Sequence, residues 1–229
     1  KGRTFNTANS THLLVGGALI IGMVTIPLMA NTVLSLTPLE GGLRLMRLTA
    51  AIPVGALLGG IACQRLDYRV PTVAGLALAA LGFLFMSRWG VDVADPAMTV
   101  HLLTAGLGFG LVIAPIALAA TNSVDIGHRG TAASVITASR MIGMTFGLAT
   151  LTAWGTDRFQ GLVAGLRLPL PVPGDTSEQA AQRVQEFETG LTGAGLTLFS
   201  DFFLVAMGVC LVGVLSAMLM AWRAGRERS

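Results

Sequence analysis

Residues 14–59 read LVGGALIIGMVTIPLMANTVLSLTPLEGGLRLMRLTAAIPVGALLG, and residues 102–147 read LLTAGLGFGLVIAPIALAATNSVDIGHRGTAASVITASRMIGMTFG. Set side by side without a gap, at an offset of 88, they agree at eleven of 46 positions. The shared residues of the first copy are Leu14, Leu19, Gly22, Val24, Pro27, Ser35, Gly42, Thr49, Ala50, Gly55 and Gly59. They return as Leu102, Leu107, Gly110, Val112, Pro115, Ser123, Gly130, Thr137, Ala138, Gly143 and Gly147. Most are glycine, proline or small polar residues, which specify close backbone approach or a kink, so coincidence among leucines does not account for the match. A repeat of this size governs the architecture.

The medium follows from composition. Of 229 residues, 53% are hydrophobic and 12% charged, and the mean hydropathy is +0.71, which places the chain in lipid. Six apolar stretches have the length that crosses about 30 Å of hydrocarbon as helix: 13–36, 42–63, 71–88, 97–121, 130–154 and 196–222. The fold class expected is an all-α membrane protein. The repeat begins in the first span and returns in the fourth, so its unit is three spans and the second copy enters the membrane from the opposite side. Two inverted three-helix repeats in a six-helix bundle are the pattern of half a rocker-type transporter. The chain starts at Lys1 and not at methionine, as a piece of something longer would.

Charge sets the orientation. Both ends and the second and fourth loops share one side, with Lys1, Arg3, Arg65, Arg69, Arg129, Arg223, Arg226 and Arg228 against Asp67, Asp125 and Glu227. The other side carries Arg88, Arg158, Arg167 and Arg183 against Glu40, Asp92, Asp95, Asp157, Asp175, Glu178, Glu186, Glu188 and Asp201. The positive-inside rule therefore puts both termini in the cytoplasm. Trp89, Trp154 and Trp222 mark span ends, where an amphipathic ring prefers the headgroup level. The basic residues form no single patch, which argues against nucleic acid despite a pI near 9.5.

One segment departs from the repeat, the external insertion 155–195. Leu168-Pro169-Leu170-Pro171-Val172-Pro173-Gly174 is too proline-rich for helix. Thr176 or Ser177 then caps a helix with Ala180, Val184, Phe187 and Leu191 on one apolar stripe, so the sixth span starts well outside the bilayer.

Candidate functional residues separate into those the repeat shares and those it does not. Gly55/Gly59 and Gly143/Gly147 form G-x-x-x-G pairs for helix packing, and Pro27 and Pro115 are expected to kink their spans. Arg140 lies about 15 Å into the fifth span at 1.5 Å per residue, where an arginine faces a cavity or a partner; its counterpart in the first copy is Ile52. Two roles are open for it, in the substrate path or as a structural hydrogen-bonding group. Arg44 and Arg47 share one face of the second span near its external end. They line a cleft or snorkel, with Glu40 spaced to pair with Arg44. Asp201 is expected to pair with one of these arginines or to sense protons. Asn31 and Asn122 can hydrogen-bond across helices or to a substrate.

Nothing points to catalysis or a metal. His12 and His101 have no second ligand at metal spacing, Cys63 and Cys210 lie within spans as small apolar residues, and Gly106-x-Gly108-x-Gly110 follows no strand, so it is no dinucleotide loop. The chain is read as a non-enzyme without a cofactor. A non-transporting membrane anchor that docks a partner is the alternative, and a membrane-embedded enzyme ranks third.

Taken together, the residues resemble the C-terminal half of a major facilitator superfamily transporter, of the fourteen-span drug:proton antiporter branch. Gly60-Ile-Ala-Cys-Gln-Arg65-Leu-Asp-Tyr-Arg69 resembles the basic loop motif G-x-x-x-D-R-x-G-R-[RK], with Gln64, Asp67 and Tyr68 departing from it. Arg129-Gly130 followed by Arg140-Met-Ile-Gly143-Met-Thr-Phe-Gly147-Leu-Ala149 matches the branch pattern R-G, then R-x-x-G-x-x-x-G-x-A. The insertion and the long last two helices are similar to the mycobacterial triacylglyceride exporters of that branch. The resemblance implies a bacterial inner-membrane exporter of lipid or lipophilic drug, driven by the proton gradient, with an N-terminal half outside this chain and a periplasmic lipoprotein as partner. It also implies a cytoplasmic gate at Arg129, Arg65 and Arg69, with Arg129 locking onto an acid of the other half.

Overall fold

The computed structural model describes residues 2–170 and 176–219, and all the described elements are helical. They are α1 Gly2–Thr32, α2 Pro38–Arg65, α3 Arg69–Met86, α4 Asp95–Asn122, α5 Arg129–Val163 and α6 Ser177–Met218, with a 3-10 turn at Ile126–His128 before α5. All six are long and apolar enough to cross a membrane, and the chain is a multi-pass membrane protein. Trp222, Arg223, Arg226 and Arg228, together with the middle of the proline-rich stretch, 171–175, lie outside the described residues, as does Lys1.

Local chemistry sets the helix ends. Thr37 caps α2 in a reciprocal capping box with Glu40, followed by Pro38 in the first turn. Thr176 does the same for α6 with Gln179. Pro27 and Pro115 lie inside α1 and α4, and both helices continue through them.

Helix α1 packs on α5 and α6, α4 packs on α2 and α3, and α3 meets α6. The second helix of each repeat therefore rests on the first helix of the other. Both contacts are made backbone to backbone, because lipid supplies no hydrophobic drive between helices and small residues let dispersion act at short range. A methyl group at Gly55 would sit 2.4 Å from the Leu107 carbonyl oxygen, and one at Gly110 would sit 2.2 Å from that of Ile52. Across the other seam, a methyl at Gly143 would sit 1.9 Å from the Leu13 carbonyl oxygen and one at Gly16 2.2 Å from that of Arg140.

These contacts revise the sequence repeat in one respect. Gly143 and Gly147 of α5 stand where Gly55 and Gly59 of α2 stand, at the offset of 88. Leu13, Gly16 and Gly17 of α1, however, take the places of Leu107, Gly110 and Leu111 of α4, an offset of 94. The matched pair Gly22 and Gly110 is thus not equivalent in packing; Gly22 faces the Phe83 ring instead. The six-residue difference is taken up in the helices and not in the connection between them: α4 ends sooner after Gly110 than α1 does after Gly16, and α5 begins closer to Arg140 than α2 does to Ile52.

The core runs along α1, α3, α4 and α6. Phe83 packs edge-on against Phe109 and stacks on Phe203, and Trp89 meets Phe203 edge-on. Trp89 lies three residues past the end of α3. It turns inward, only 6% exposed, and its Nε1–H donates to His101 Nδ1 at 3.0 Å.

Helices α5 and α6 are longer than a crossing of about 30 Å of hydrocarbon requires. Their 35 and 42 residues give lengths of about 52 and 63 Å at 1.5 Å per residue. Gly155 seats the Phe202 ring, and farther out Gly190 faces Leu166. The apolar stripe of this segment is exposed at Val184 and Leu191, at 42% and 40%.

Candidate functional site

Burial divides the helices sharply. In α1 and α4, 56% of the most apolar stretch is buried, against 22% in α2 and 17% in α5. The buried residues of α2 are Gly41, Leu48, Ala51, Gly55, Gly59 and Cys63; Leu48, Ala51, Gly55 and Gly59 meet α4, and Gly41 meets α1. Beyond these residues α2 exposes Val54, Leu57, Leu58 and Ile61, and α5 exposes Val135, Met141, Ile142, Phe146 and Leu148. The arginines expected to carry function lie on these two open helices.

One charged cluster joins the first half of α2 to the start of α4. Arg47 Nη1 is 2.8 Å from Asp95 Oδ1 and also donates to Thr99 Oγ1 at 2.6 Å. Arg44 Nη2 lies 3.7 Å from the same carboxylate, while its Nε donates to Met98 Sδ and its Nη1 to the Glu40 carbonyl. Two guanidinium groups thus share one carboxylate. Glu40 is spent on its own helix cap, accepting from the Thr37 backbone N–H and hydroxyl, so its side chain pairs with Thr37 and not with Arg44.

Asp201 corrects a second expectation. Its carboxylate takes Arg158 Nε at 2.9 Å, while Arg44 and Arg47 go to Asp95, and the Arg158–Asp201 pair ties α5 to α6. The spacing of Arg158 and Asp201 in sequence gives no signal for it, because the pairing depends on how the two long helices cross.

At the end of the bundle where α2 stops and α5 starts, the basic residues take different roles. Arg129 is the first residue of α5 and is exposed, and Arg65 is exposed in the last turn of α2, where its charge complements the helix dipole. Arg69 Nη2 donates to the Met218 carbonyl at the end of α6. Tyr68 on the same loop accepts through its hydroxyl from Asn122 Nδ2 at 2.6 Å. The basic loop is therefore stitched to α4 and α6. Asn31 is exposed at the outer end of α1, its Oδ1 against Gly41.

Arg140 sits on the α1–α5 seam, half-buried, with its Nε buried and without a hydrogen-bond partner among the described residues. Gly16 packs under its carbonyl. Sequence reading passed over its neighbour, His12, which is 3% exposed and lies 2.8 Å through Nδ1 from the Ile136 carbonyl oxygen. One turn along, the Ser139 hydroxyl donates to Asn9 Oδ1 at 2.7 Å. A lone histidine in an apolar helix gives no hint of such a seam, because the partners come from another helix.

Farther out, α1, α5 and α6 enclose an apolar hollow of about 380 Å³ lined by Val24, Leu28, Gly155, Phe159 and Phe202, with Thr152, Thr156 and Gln160 as its polar stripe. A second, of about 190 Å³, lies between Gly17, Phe146 and Val209, and Leu151 lines both. Their chemistry suits a chain of methylenes with a few weak acceptors. Among the described residues, no three histidine, cysteine or acidic side chains gather as metal ligands.

No protein-family model matches the chain. It is similar over nearly its whole length to proteins named triacylglyceride transporters. One from Mycolicibacterium hassiacum is 35% identical over 233 residues, covering 96% of this chain and 44% of that protein. A probable triacylglyceride transporter of Mycobacterium leprae is 32% identical, covering 96% and 45%. The triacylglyceride transporter of Mycobacterium tuberculosis strain H37Rv is 32% identical, covering 96% and 44%. The chain spans less than half the length of these relatives.

Proposed function

We propose that this chain is the C-terminal half of a major facilitator type exporter of lipophilic molecules, with a triacylglyceride-like lipid preferred over drugs. The observation that carries the reading is the openness of α2 and α5, 22% and 17% buried, in a chain that matches 44% of lipid transporters' length. Those two helices are the faces left for a second six-helix half, and the cleft between the halves is the substrate path. The two repeats are inverted copies, and the bundle rocks as one body against its partner half, opening the cleft to each side of the bacterial inner membrane in turn.

Roles within the cycle follow from position. Arg129, exposed at the cytoplasmic start of α5, latches onto an acid of the other half when the cytoplasmic side is shut. Arg65 and Arg69 hold the adjacent loop. Arg140, mid-span, and Arg44 and Arg47, at the external end, balance charge along the cleft. The proton gradient supplies the energy through acids of the other half. The hollow between α1, α5 and α6 and the projecting α5–α6 pair guide lipid outward to a periplasmic lipoprotein.

The test is a deletion of residues 168–190 in the full-length protein, with lipid export and dye efflux measured in parallel. Lipid export is expected to fall well below dye efflux. Equal loss of both, or of neither, overturns the preference for lipid.

A further inference from the structure

Helix α5 carries two open ridges of residues four apart, which lie in line along one side of a helix. Thr152, Thr156 and Gln160 form the first, on the hollow assigned to the lipid path. Phe146, Thr150, Trp154 and Arg158 form the second, on the other flank of the buried Gly143 and Gly155. Helix α6 runs the opposite way and faces the second ridge with Asp201, Val205 and Val209, again four apart. The ridges meet in order: Arg158 Nε donates to Asp201 Oδ2 at 2.9 Å, Trp154 and Val205 follow, and Phe146 and Val209 come last. Between them Gly17, Gly143 and Gly147 contribute no side chain, and the trough over these glycines holds about 190 Å³. It opens into a shallower recess of about 470 Å³ at the ion pair, since Trp154 and Val205 line both. The result is one groove, apolar along its length and charged at one end.

The ion pair uses only part of its capacity. A guanidinium has donors beyond its Nε–H, and a carboxylate has a second oxygen. The Arg158 Nη groups and Asp201 Oδ1 take no other partner among the described residues, and the two side chains are 45% and 25% exposed. Trp154, one turn from Arg158, is exposed beside them, and a tryptophan at a span end favours the headgroup level. The groove therefore sets a cation and an anion at headgroup depth above an apolar trough. Charge complementarity selects among lipids. An anionic head meets Asp201 as a like charge, and a glyceride ester leaves both charges unanswered. A zwitterion whose ammonium carries N–H donors answers both, with phosphate oxygens for the Nη groups and the ammonium for the carboxylate.

We propose that the α5–α6 groove binds a phospholipid with a zwitterionic, N–H-bearing headgroup, of the phosphatidylethanolamine type. Its phosphate sits on the Arg158 Nη groups, its ammonium on Asp201 Oδ1, and one acyl chain lies along Thr150 and Phe146. This lipid is a component of the folded protein and not the exported cargo, because its groove lies on the flank of α5 away from Thr152, Thr156 and Gln160. A ligand that binds only the folded state raises stability, so the lipid braces α5 against α6 beside the contact of Gly155 with the Phe202 ring. The site needs no assumption about what the protein transports.

The experiment uses full-length protein in a mild detergent, with added phosphatidylethanolamine, phosphatidylcholine or phosphatidylglycerol of identical acyl chains. Thermal midpoints are measured, and lipid retention is read by native mass spectrometry. Phosphatidylethanolamine is expected to raise the midpoint most and to be the lipid best retained. Arg158→Gln is expected to lose that preference, with retention down about tenfold, the usual worth of a hydrogen bond to a charged group. Asp201→Asn keeps the phosphate partner and removes the like charge, so retention is expected to shift toward phosphatidylglycerol. Arg88→Gln, the same charge change on an exposed residue beyond α3, is expected to keep the wild-type preference. An equal response of wild type to all three lipids, as bulk solvation gives, overturns the proposal. So does retention of none, as follows where another part of the full-length protein fills the groove, and so does an unchanged preference in Arg158→Gln. Where that variant fails to fold, Arg158→Lys reads the same contact, because it keeps the charge and loses the planar fork: weaker retention with the same preference is expected, and unchanged retention overturns the site. Each outcome stands whether or not the protein exports lipid.

Discussion

Gly143→Ala puts the tightest contact of the bundle to the test. The added methyl would lie 1.9 Å from the Leu13 carbonyl oxygen, 2.7 Å from its carbonyl carbon and 3.0 Å from its Cα. All three atoms are backbone, so no side chain can move aside. To reach an ordinary contact of 3.4 Å, α5 must step back from α1 by about 1.5 Å, which strips dispersion from the whole seam. Overpacking costs about 1–3 kcal/mol, and alanine regains up to about 1 kcal/mol through helix propensity. The distance here is at the severe end, so the net loss is about 2 kcal/mol. The control is Gly208→Ala in α6, where a methyl meets nothing within 4 Å and propensity alone should raise stability by about 0.5–1 kcal/mol. Thermal unfolding of the full-length protein, followed by tryptophan fluorescence, separates the two. Equal midpoints for Gly143→Ala and Gly208→Ala would refute the backbone contact.

Three further outcomes are expected. Arg47→Ala should cost less than about 1 kcal/mol in unfolding experiments, because Asp95, its partner, is 53% exposed and solvent screens the pair. Trp89→Phe keeps the ring against Phe203 but removes the donor to His101 Nδ1, and should lower stability by about 1 kcal/mol, read from the same melts. Arg129→Glu should abolish transport, and reversal of one acid in the other half should restore it; absence of any rescuing acid in a suppressor screen would count against the latch.

What could be read from the chain itself depended on whether the information was local. Helix number followed from apolar stretches, and a cap for α6 at Thr176 or Ser177 was legible because a capping box is written within four residues; the structure has it at Thr176. The G-x-x-x-G pairs announced backbone contact correctly, since Gly143 and Gly147 do meet Leu13 and Gly17. Partners between helices were another matter. Arg158 belongs to Asp201 and Arg47 to Asp95 because of how the helices cross, and neither spacing carries a sign of it. The repeat itself misled at Gly22, since an ungapped offset of 88 hides a slip of six residues in α1. His12 could be read in the chain only as a histidine without a second metal ligand, because the carbonyl it meets, that of Ile136, comes from another helix.

The central claim is that α2 and α5 line a cleft that opens to each side of the membrane in turn. Val54, seven residues from Arg47 on the same stripe of α2, and Leu148 on α5 are exposed at 53% and 41%. Single cysteines at these two positions in an otherwise cysteine-free full-length protein report on the cleft through membrane-impermeant thiol reagents. The account predicts that each cysteine reacts from both sides of the membrane, and that locking the cytoplasmic side shut raises external reactivity while lowering cytoplasmic reactivity. Cysteines that react from neither side in any condition, as a closed scaffold requires, would contradict it.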